Sequence, residues 1–144
     1  MAEDAAQRRA ERAERADYHL EAQRLRSEHE SVKAQALIDR FVERAKQTGV
    51  PTEELTARPW SGGGRYRTGV VGWYLRSNRS VGVGADGSFY VLSVPPVRFG
   101  RWRTVRVDPT PPPLVVGKGA GDGEVFDLDV LLEQRLQWPG TGPG

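Results

Sequence analysis

The sequence predicts an α+β protein: an N-terminal charged helical arm and amphipathic helix, a small antiparallel β-sheet of four or five strands, and a C-terminal helix. Residues 1–48 combine strong helix formers with a helical apolar period, and residues 66–116 are rich in branched and aromatic side chains interrupted by turns. We therefore divide the chain into an arm (1–26), one domain (27–138) and a disordered tail (139–144).

The first segment, residues 1–26, is predicted to form a solvated helix. Its glutamates and arginines stand at spacings that allow i, i+3 and i, i+4 pairs. Tyr18, Leu20 and Leu25 are its only sizeable apolar side chains, which is fewer than a coiled-coil seam over three heptads requires. We expect an arm that binds a protein partner or a second copy of the chain, and that adds nothing to the core.

A second helix is predicted over residues 28–48. Ser27 and Glu30 have the spacing of a capping box, which favours a helix start, and Gly49 shortly before Pro51 is typical of a helix end. Apolar residues recur between these limits at helical spacing, so the helix must pack on another surface. The candidate partner-helix face consists of Leu37, Ile38, Phe41 and Val42.

The β-rich region is predicted to cover residues 65–116, after a flexible joint at 59–64. Residues 66–76 form one strand, and residues 81–94 form a hairpin because Asp-Gly at its centre suits a type I′ turn. Residues 102–107 alternate like a half-buried strand. We expect a sheet with one aliphatic, buried face and one cationic, exposed face.

The remaining elements are shorter. Residues 52–55 are predicted to add one helical turn, residues 109–113 are a stiff proline-rich spacer, and residues 114–116 give a last strand. A helix over residues 127–137 is capped by Asp127. Its buried face is formed by Leu128, Leu131, Leu132 and Leu136.

Charge gives the strongest functional indication. Residues 58–107 contain nine arginines and a single acid, Asp86, and arginine and tryptophan on exposed strands are typical of surfaces that bind single-stranded nucleic acid. The alternative is that the tryptophans are core residues and the arginines a solvated face, partly reflecting a GC-rich bacterial genome. The candidate nucleic-acid face comprises Arg65, Arg67, Trp73, Arg76, Arg79, Arg101, Trp102, Arg103 and Arg106.

Catalytic, metal and cofactor sites are not expected. The chain has no cysteine, and His19 and His29 would lie roughly 15 Å apart along a helix, so they cannot share a metal. The letters G-x-G-x-x-G at residues 82–87 fall on the hairpin, without the helix that dinucleotide binding needs. The glycine-rich residues 117–123 lack Walker spacing. Four acids lie close together in the sequence but do not have the spacing of a calcium-binding loop: Asp122, Glu124, Asp127 and Asp129.

One short resemblance accompanies these patterns. The tripeptide Trp73-Tyr74-Leu75 resembles the name-giving tripeptide of WYL domains, which are small Sm-like β modules of bacterial regulators associated with ligand or nucleic-acid sensing. The resemblance covers this strand alone. It implies a β module and assigns no functional residue.

Together these observations predict a non-catalytic bacterial interaction or adaptor protein that acts through its helical arm, with a nucleic-acid-binding module as the alternative. The N-terminus lacks the apolar region of a signal peptide, and no stretch approaches about 18 consecutive apolar residues. We therefore expect a soluble cytoplasmic protein that does not enter a membrane.

Overall fold

The computed structural model describes residues 2–117, 125–138 and 140–141, and it has the predicted α+β architecture. A long helix precedes a five-stranded sheet, a two-stranded sheet and a C-terminal helix. In chain order the elements are α1 (Ala2–Thr48), β1 (Glu53–Pro59), β2 (Tyr66–Tyr74), β3 (Val81–Gly84), β4 (Phe89–Val91), β5 (Ser93–Val94), a 3-10 turn (Gly100–Trp102), β6 (Val115–Val116), β7 (Phe126–Asp127) and α2 (Leu128–Gln137).

Helix α1 is continuous, so the helix start predicted at Ser27 is wrong. Neither glycine nor proline occurs between Ala2 and Thr48, and every residue can continue the i to i−4 hydrogen-bond ladder. Glu30, the predicted capping partner, instead accepts a hydrogen bond of 3.0 Å from the backbone N–H of Leu114. The arm and the amphipathic helix are therefore one element.

The end of α1 is confirmed. Gly49 has φ +75°, a left-handed conformation that glycine adopts without a steric cost. The N–H of Val50 donates to the carbonyl of Ala45 at 2.9 Å, and the N–H of Gly49 donates to that of Lys46 at 3.4 Å. These two bonds form a Schellman motif, which satisfies the last carbonyls of the helix and turns the chain toward the sheet.

The five-stranded sheet has the order β4-β3-β2-β1-β5 and is mixed, because β5 runs parallel to β1 while the other pairs are antiparallel. The helical turn predicted at residues 52–55 is wrong, since β1 begins at Glu53. Leu55, Ala57 and Pro59 alternate inward along it. Two glutamates at its start are unfavourable in strands and conceal this period of two.

The hairpin β3–β4 is confirmed, with a three-residue loop instead of a type I′ turn. Only Gly87 has positive φ (+90°), and its N–H donates to the Gly84 carbonyl at 2.9 Å. Asp86 accepts a 3.0 Å hydrogen bond from the Ser88 N–H. This is the pattern of a type I turn followed by a bulge glycine.

The strand predicted at residues 102–107 is wrong. The segment touches β2 through one isolated bridge, Arg67 with Thr104, where the Val105 N–H donates to the Arg67 carbonyl at 2.7 Å. β3 pairs only with the last residues of β2, so the first half of that edge is open to this segment. Gly69, at φ +73°, bends β2 there and prevents further pairing.

Core residues cover both faces of the sheet, in contrast to the predicted sheet with one cationic face. On one face Trp73 packs against α1 and α2, with its ring edge-on to Phe41 at 5.4 Å. On the other face a smaller cluster forms around Tyr74. This second cluster contains Leu55, Tyr74, Tyr90 and Leu92, with Val70 and Val107 packed against it. The predicted apolar face of α2 is confirmed, because its leucines pack in the main core.

We expect Phe41→Ala to lower the free energy of unfolding by about 3–5 kcal/mol, because it leaves a cavity beside Trp73 in the main core. The control Leu20→Ala, on the same helix but exposed, should change it by less than about 0.5 kcal/mol. Urea unfolding followed by Trp fluorescence measures both. Equal losses in the two variants would contradict the packing described here.

Candidate functional site

The nine residues of the predicted nucleic-acid face do not share one surface. Trp73 is 1% exposed and belongs to the core, where its Nε1 donates to the Val50 carbonyl at 3.1 Å. Arg76 is also buried, with its guanidinium 5.0 Å from the ring centre of Phe126. These two residues stabilise the domain and cannot contact a nucleic acid without its opening.

Arg65 and Arg79 line a cavity of about 670 Å³ beside the end of β1. Arg58 and Trp60, which the sequence analysis did not select, line the same cavity. Arg65 is held in place by its Nη2, which donates to the Thr56 carbonyl at 2.6 Å and to the Arg79 carbonyl at 3.1 Å. Three arginines are thus brought together: Arg58 from the end of β1, Arg65 from the residue before β2, and Arg79 from the β2–β3 turn.

The surroundings of Arg65 in this cavity disfavour its positive charge. Burial lowers the pKa of Arg65 below its ordinary value; Tyr74 opposes this shift, and the neighbouring charges of Arg79 and Arg58 add to it. The guanidinium of Arg79 stacks 5.8 Å from the ring centre of Tyr74. Cation–π contact and backbone acceptors therefore hold the arginines near one another despite their repulsion.

A second group lies on the exposed segment around the 3-10 turn. Trp102 is 79% exposed and its ring centre lies 6.0 Å from that of Phe99, which is 60% exposed. The Arg98 guanidinium lies 5.1 Å from the Phe99 ring centre. A depression of about 410 Å³ lies beside this group. We call the group the arginine-aromatic ridge, and it consists of Arg67, Arg98, Phe99, Arg101, Trp102 and Arg103.

Two arginines of the predicted face already have acidic partners. Arg67 contacts both carboxylate oxygens of Glu54 at 3.3 Å, and Arg106 contacts Asp108 at 3.2 Å. Hydrogen bonding from Arg67 lowers the pKa of Glu54 below its ordinary value, partial loss of water opposes the shift, and the charge of Arg67 reinforces it. These exposed pairs reduce the positive charge that is available to a polyanion.

The predicted partner-helix face is covered by the chain's own domain. Ile38, Phe41 and Val42 are buried in the main core, and Leu37 packs half-buried against it. These side chains pack against the sheet and α2. Helix α2 also contacts α1 through an ion pair of 3.2 Å between Arg44 and Glu133. A second protein cannot contact these side chains in this fold.

The arm, in contrast, is exposed. Between Ala2 and His29 nearly every residue of α1 is exposed, including Tyr18 at 73% and Leu25 at 47%. At 1.5 Å per residue this part of the helix extends about 40 Å beyond the domain. Val32, further along the same helix, is 70% exposed.

Sequence reasoning missed Arg58 and Trp60 because β1 was not recognised: Arg58 was assigned to no element and Trp60 to the joint at residues 59–64. It also missed Arg135, whose guanidinium is buried 4.3 Å from the ring centre of Trp138 and donates to the carbonyls of Trp138 and Gly140. Burial lowers its pKa, and Glu53 opposes the shift. Arg135 ties the C-terminal residues to α2.

Within the described residues, no group of three or more His, Asp or Glu side chains is placed to hold a metal ion. Asp122, Glu124 and the loop at 118–123 lie outside the described residues, as do most of the predicted tail residues. None of the described helices has an apolar stretch long enough to cross a bilayer. No family model, curated protein or solved structure matches the chain.

We expect Arg67→Ala to raise the pKa of Glu54 toward the ordinary glutamate value, because it removes both hydrogen bonds and the neighbouring charge. Since the folded-state pKa is depressed, the pair stabilises the protein at neutral pH and loses this effect as the pH falls through that pKa. A carboxyl-detected NMR titration measures the shift, with Arg103→Ala as the control. An unshifted Glu54 in the wild-type chain would contradict the ion pair.

Proposed function

We propose that this protein is a non-catalytic interaction protein whose N-terminal helix binds a second copy of the chain. One observation carries the proposal: α1 continues far beyond the domain while Tyr18, Leu25 and Val32 remain exposed on it. An isolated helix gains little stability in water, and an exposed helix of this length is best stabilised by packing against another surface.

Three of the exposed apolar residues of α1, Tyr18, Leu25 and Val32, are spaced seven positions apart, whereas Leu20 lies outside this series. With Tyr18, Leu25 and Val32 as the d positions of successive heptads, Ala22 and His29 become the a positions between them. The continuity of α1 through Ser27 is what adds Val32 to this series and extends it to the three heptads that the arm by itself lacks. The a positions contribute little apolar area, so the expected dimer is weak.

Charge complementarity selects both the partner and its direction. The g positions of these heptads carry Glu14, Glu21 and Glu28. In a parallel pair each g residue meets the e residue five positions later on the other helix. Those e positions are all basic: His19, Arg26 and Lys33. An antiparallel pair of identical chains would instead place g against g and e against e, which brings like charges together.

The position of the domain leaves this seam free. Ala34 and Ile38, which are buried against the domain, lie about 200° and 240° around the helix from Val32. The seam and the domain therefore occupy nearly opposite faces of α1. A second helix can approach along the seam without displacing core residues.

We expect the double variants Glu21→Lys/Glu28→Lys and Arg26→Glu/Lys33→Glu each to lose self-association, because the two altered g–e′ contacts, 21 with 26 and 28 with 33, then join like charges. An equimolar mixture should regain it, since opposite charges then meet across the seam. Sedimentation equilibrium on the full chain measures the dissociation constant, which should rise about tenfold or more in each variant by itself. Glu3→Lys/Asp17→Lys is the matched control, because it makes the same charge change away from the seam.

Three further variants test the parallel dimer directly: a truncated chain and two cysteine variants. A chain without residues 1–26 should unfold at nearly the same temperature while losing association, because the removed residues are exposed. Because the protein has no cysteine, Leu25→Cys supplies a single thiol that should cross-link two chains in a parallel seam, and Leu20→Cys should not. A wild-type chain that stays monomeric, or a mixture that fails to recover, rules out the parallel dimer.

A second candidate function is binding of single-stranded nucleic acid. The arginine-aromatic ridge supports it, because Phe99 and Trp102 offer exposed rings beside several guanidinium groups. Bases would stack on the rings while the arginines neutralise phosphates. The proposal thus uses a smaller surface than the sequence-predicted face, without Trp73 and Arg76.

We expect a fluorescent single-stranded oligonucleotide to bind at low salt with an affinity that falls steeply as salt rises, because counterions are released from the phosphates. Trp102→Ala should weaken binding by about 1–3 kcal/mol. Leu20→Ala, which truncates an exposed residue of the arm outside the ridge, is the control. Failure to bind at low salt dismisses this candidate.

A further inference from the structure

The cavity at the end of β1 combines features that neither proposed function uses. Its walls come from the end of β1, the β2–β3 turn and β5, with Val116 and Gly117 closing one side. Arg58 and Trp60 belong neither to the arm nor to the arginine-aromatic ridge. The volume of about 670 Å³ lies within the range of small-molecule sites.

The cavity has an excess of positive charge. Three arginines line it, and none of the described residues around it is an aspartate or glutamate. Arginines so close to one another repel, and partial burial strengthens the repulsion because water screens it less. An anion bound among them would reduce this repulsion, so the arrangement favours a negatively charged ligand.

The donors are held in place before any ligand arrives. Arg65 is oriented by the Thr56 carbonyl at 2.6 Å and by the Arg79 carbonyl at 3.1 Å. Arg79 itself has φ +59°, a left-handed conformation that a long side chain adopts at a steric cost. This conformation sets the direction from which Arg79 leaves the turn. The bonds to the Thr56 and Arg79 carbonyls occupy Nη2 of Arg65 and hold its guanidinium in one orientation, so an anion that accepts from Nη1 costs little further side-chain entropy at Arg65.

The rest of the lining indicates the kind of molecule that fits. A phosphate group carries up to two negative charges and three terminal acceptor oxygens, whereas a carboxylate carries one charge and two oxygens, so a phosphate matches a cluster of three arginines better. Trp60, 70% exposed at the cavity, offers a planar face. Leu92, Val81 and Val116 contribute apolar wall.

We propose that this cavity binds a small phosphorylated molecule, with the phosphate held by Arg58, Arg65 and Arg79 and an attached planar group resting on Trp60. The site is independent of the arm and of the arginine-aromatic ridge. A polymer is not required, because a volume of about 670 Å³ is enough for one phosphate and one ring. The ligand class is therefore a phosphorylated, ring-bearing metabolite such as a nucleoside monophosphate.

The test uses the full chain with three probes: adenosine 5′-monophosphate, pyrophosphate and adenosine. We expect the two phosphorylated probes to raise the unfolding temperature and to give a saturable heat in titration calorimetry, while adenosine does neither. Arg58→Met should weaken monophosphate binding by about tenfold or more, because it removes a charged donor and keeps the side-chain length. Trp60→Ala should weaken binding of the monophosphate and leave that of pyrophosphate unchanged.

Controls separate this site from the other proposals and from a folding defect. Arg103→Met removes an arginine from the ridge and should leave monophosphate binding unchanged. Without ligand, Arg58→Met should be as stable as the wild type or more stable, because Arg58 is exposed and its loss relieves like-charge repulsion. The proposal is overturned if neither phosphorylated probe binds, or if Arg58→Met binds them as tightly as the wild-type chain does.

Discussion

The packing of Trp73 against the end of α1 is the contact on which the rest of the structure depends. The indole meets Phe41 edge-on at 5.4 Å and donates to the Val50 carbonyl at 3.1 Å, immediately after the Schellman motif that ends the helix. One side chain of β2 thereby fixes both the position and the end of α1. Because α1 has no break, the same contact also fixes the direction in which the arm leaves the domain.

That constraint separates the helix into two surfaces. The residues that meet the domain, such as Ala34 and Phe41, are buried, whereas Val32 on the opposite side remains exposed. A helix that served only to cover the sheet would need no more than its last turns, and about 28 residues precede them. The length of α1 and the heptad pattern of its free face are thus explained together by the proposed dimer, and neither is explained by the core.

The sequence predicted those elements whose signals are local. The end of α1 at Gly49, the β3–β4 hairpin at Asp86-Gly87 and the apolar face of α2 each depend on a few adjacent residues, and each is present. Elements that depend on a distant partner were missed. β1 begins with two glutamates and becomes a strand because β2 and β5 flank it, while residues 102–107 have a strand pattern but little edge to pair with.

The arginine-lined cavity was predicted only in part, because its residues too are brought together by contacts between distant segments. Composition showed that arginines and aromatic residues accumulate between residues 58 and 107, but it could not tell which side chains the sheet would bury. Trp73 and Trp102 were both assigned to the candidate face, yet the first is 1% exposed and the second 79%. Only the pairing of β1 with β2 and β5 brings Arg58, Arg65 and Arg79 to one cavity.

The edges of the sheet add a reason for association to take place through the arm. An exposed strand edge is the usual place where a second chain adds to a sheet. Here β5 has only two residues, and β4 is bridged along its outer edge by Thr110, whose N–H donates to the Phe89 carbonyl at 2.9 Å. Prolines on both sides of Thr110 have no N–H to offer an incoming strand.

The strand region is also strongly basic, so two copies of it repel, whereas residues 1–48 carry ten acids and ten bases. With one edge short, the other bridged and its charge unfavourable, the sheet is a poor surface for self-association, which favours the proposed contact through the electrically balanced helix.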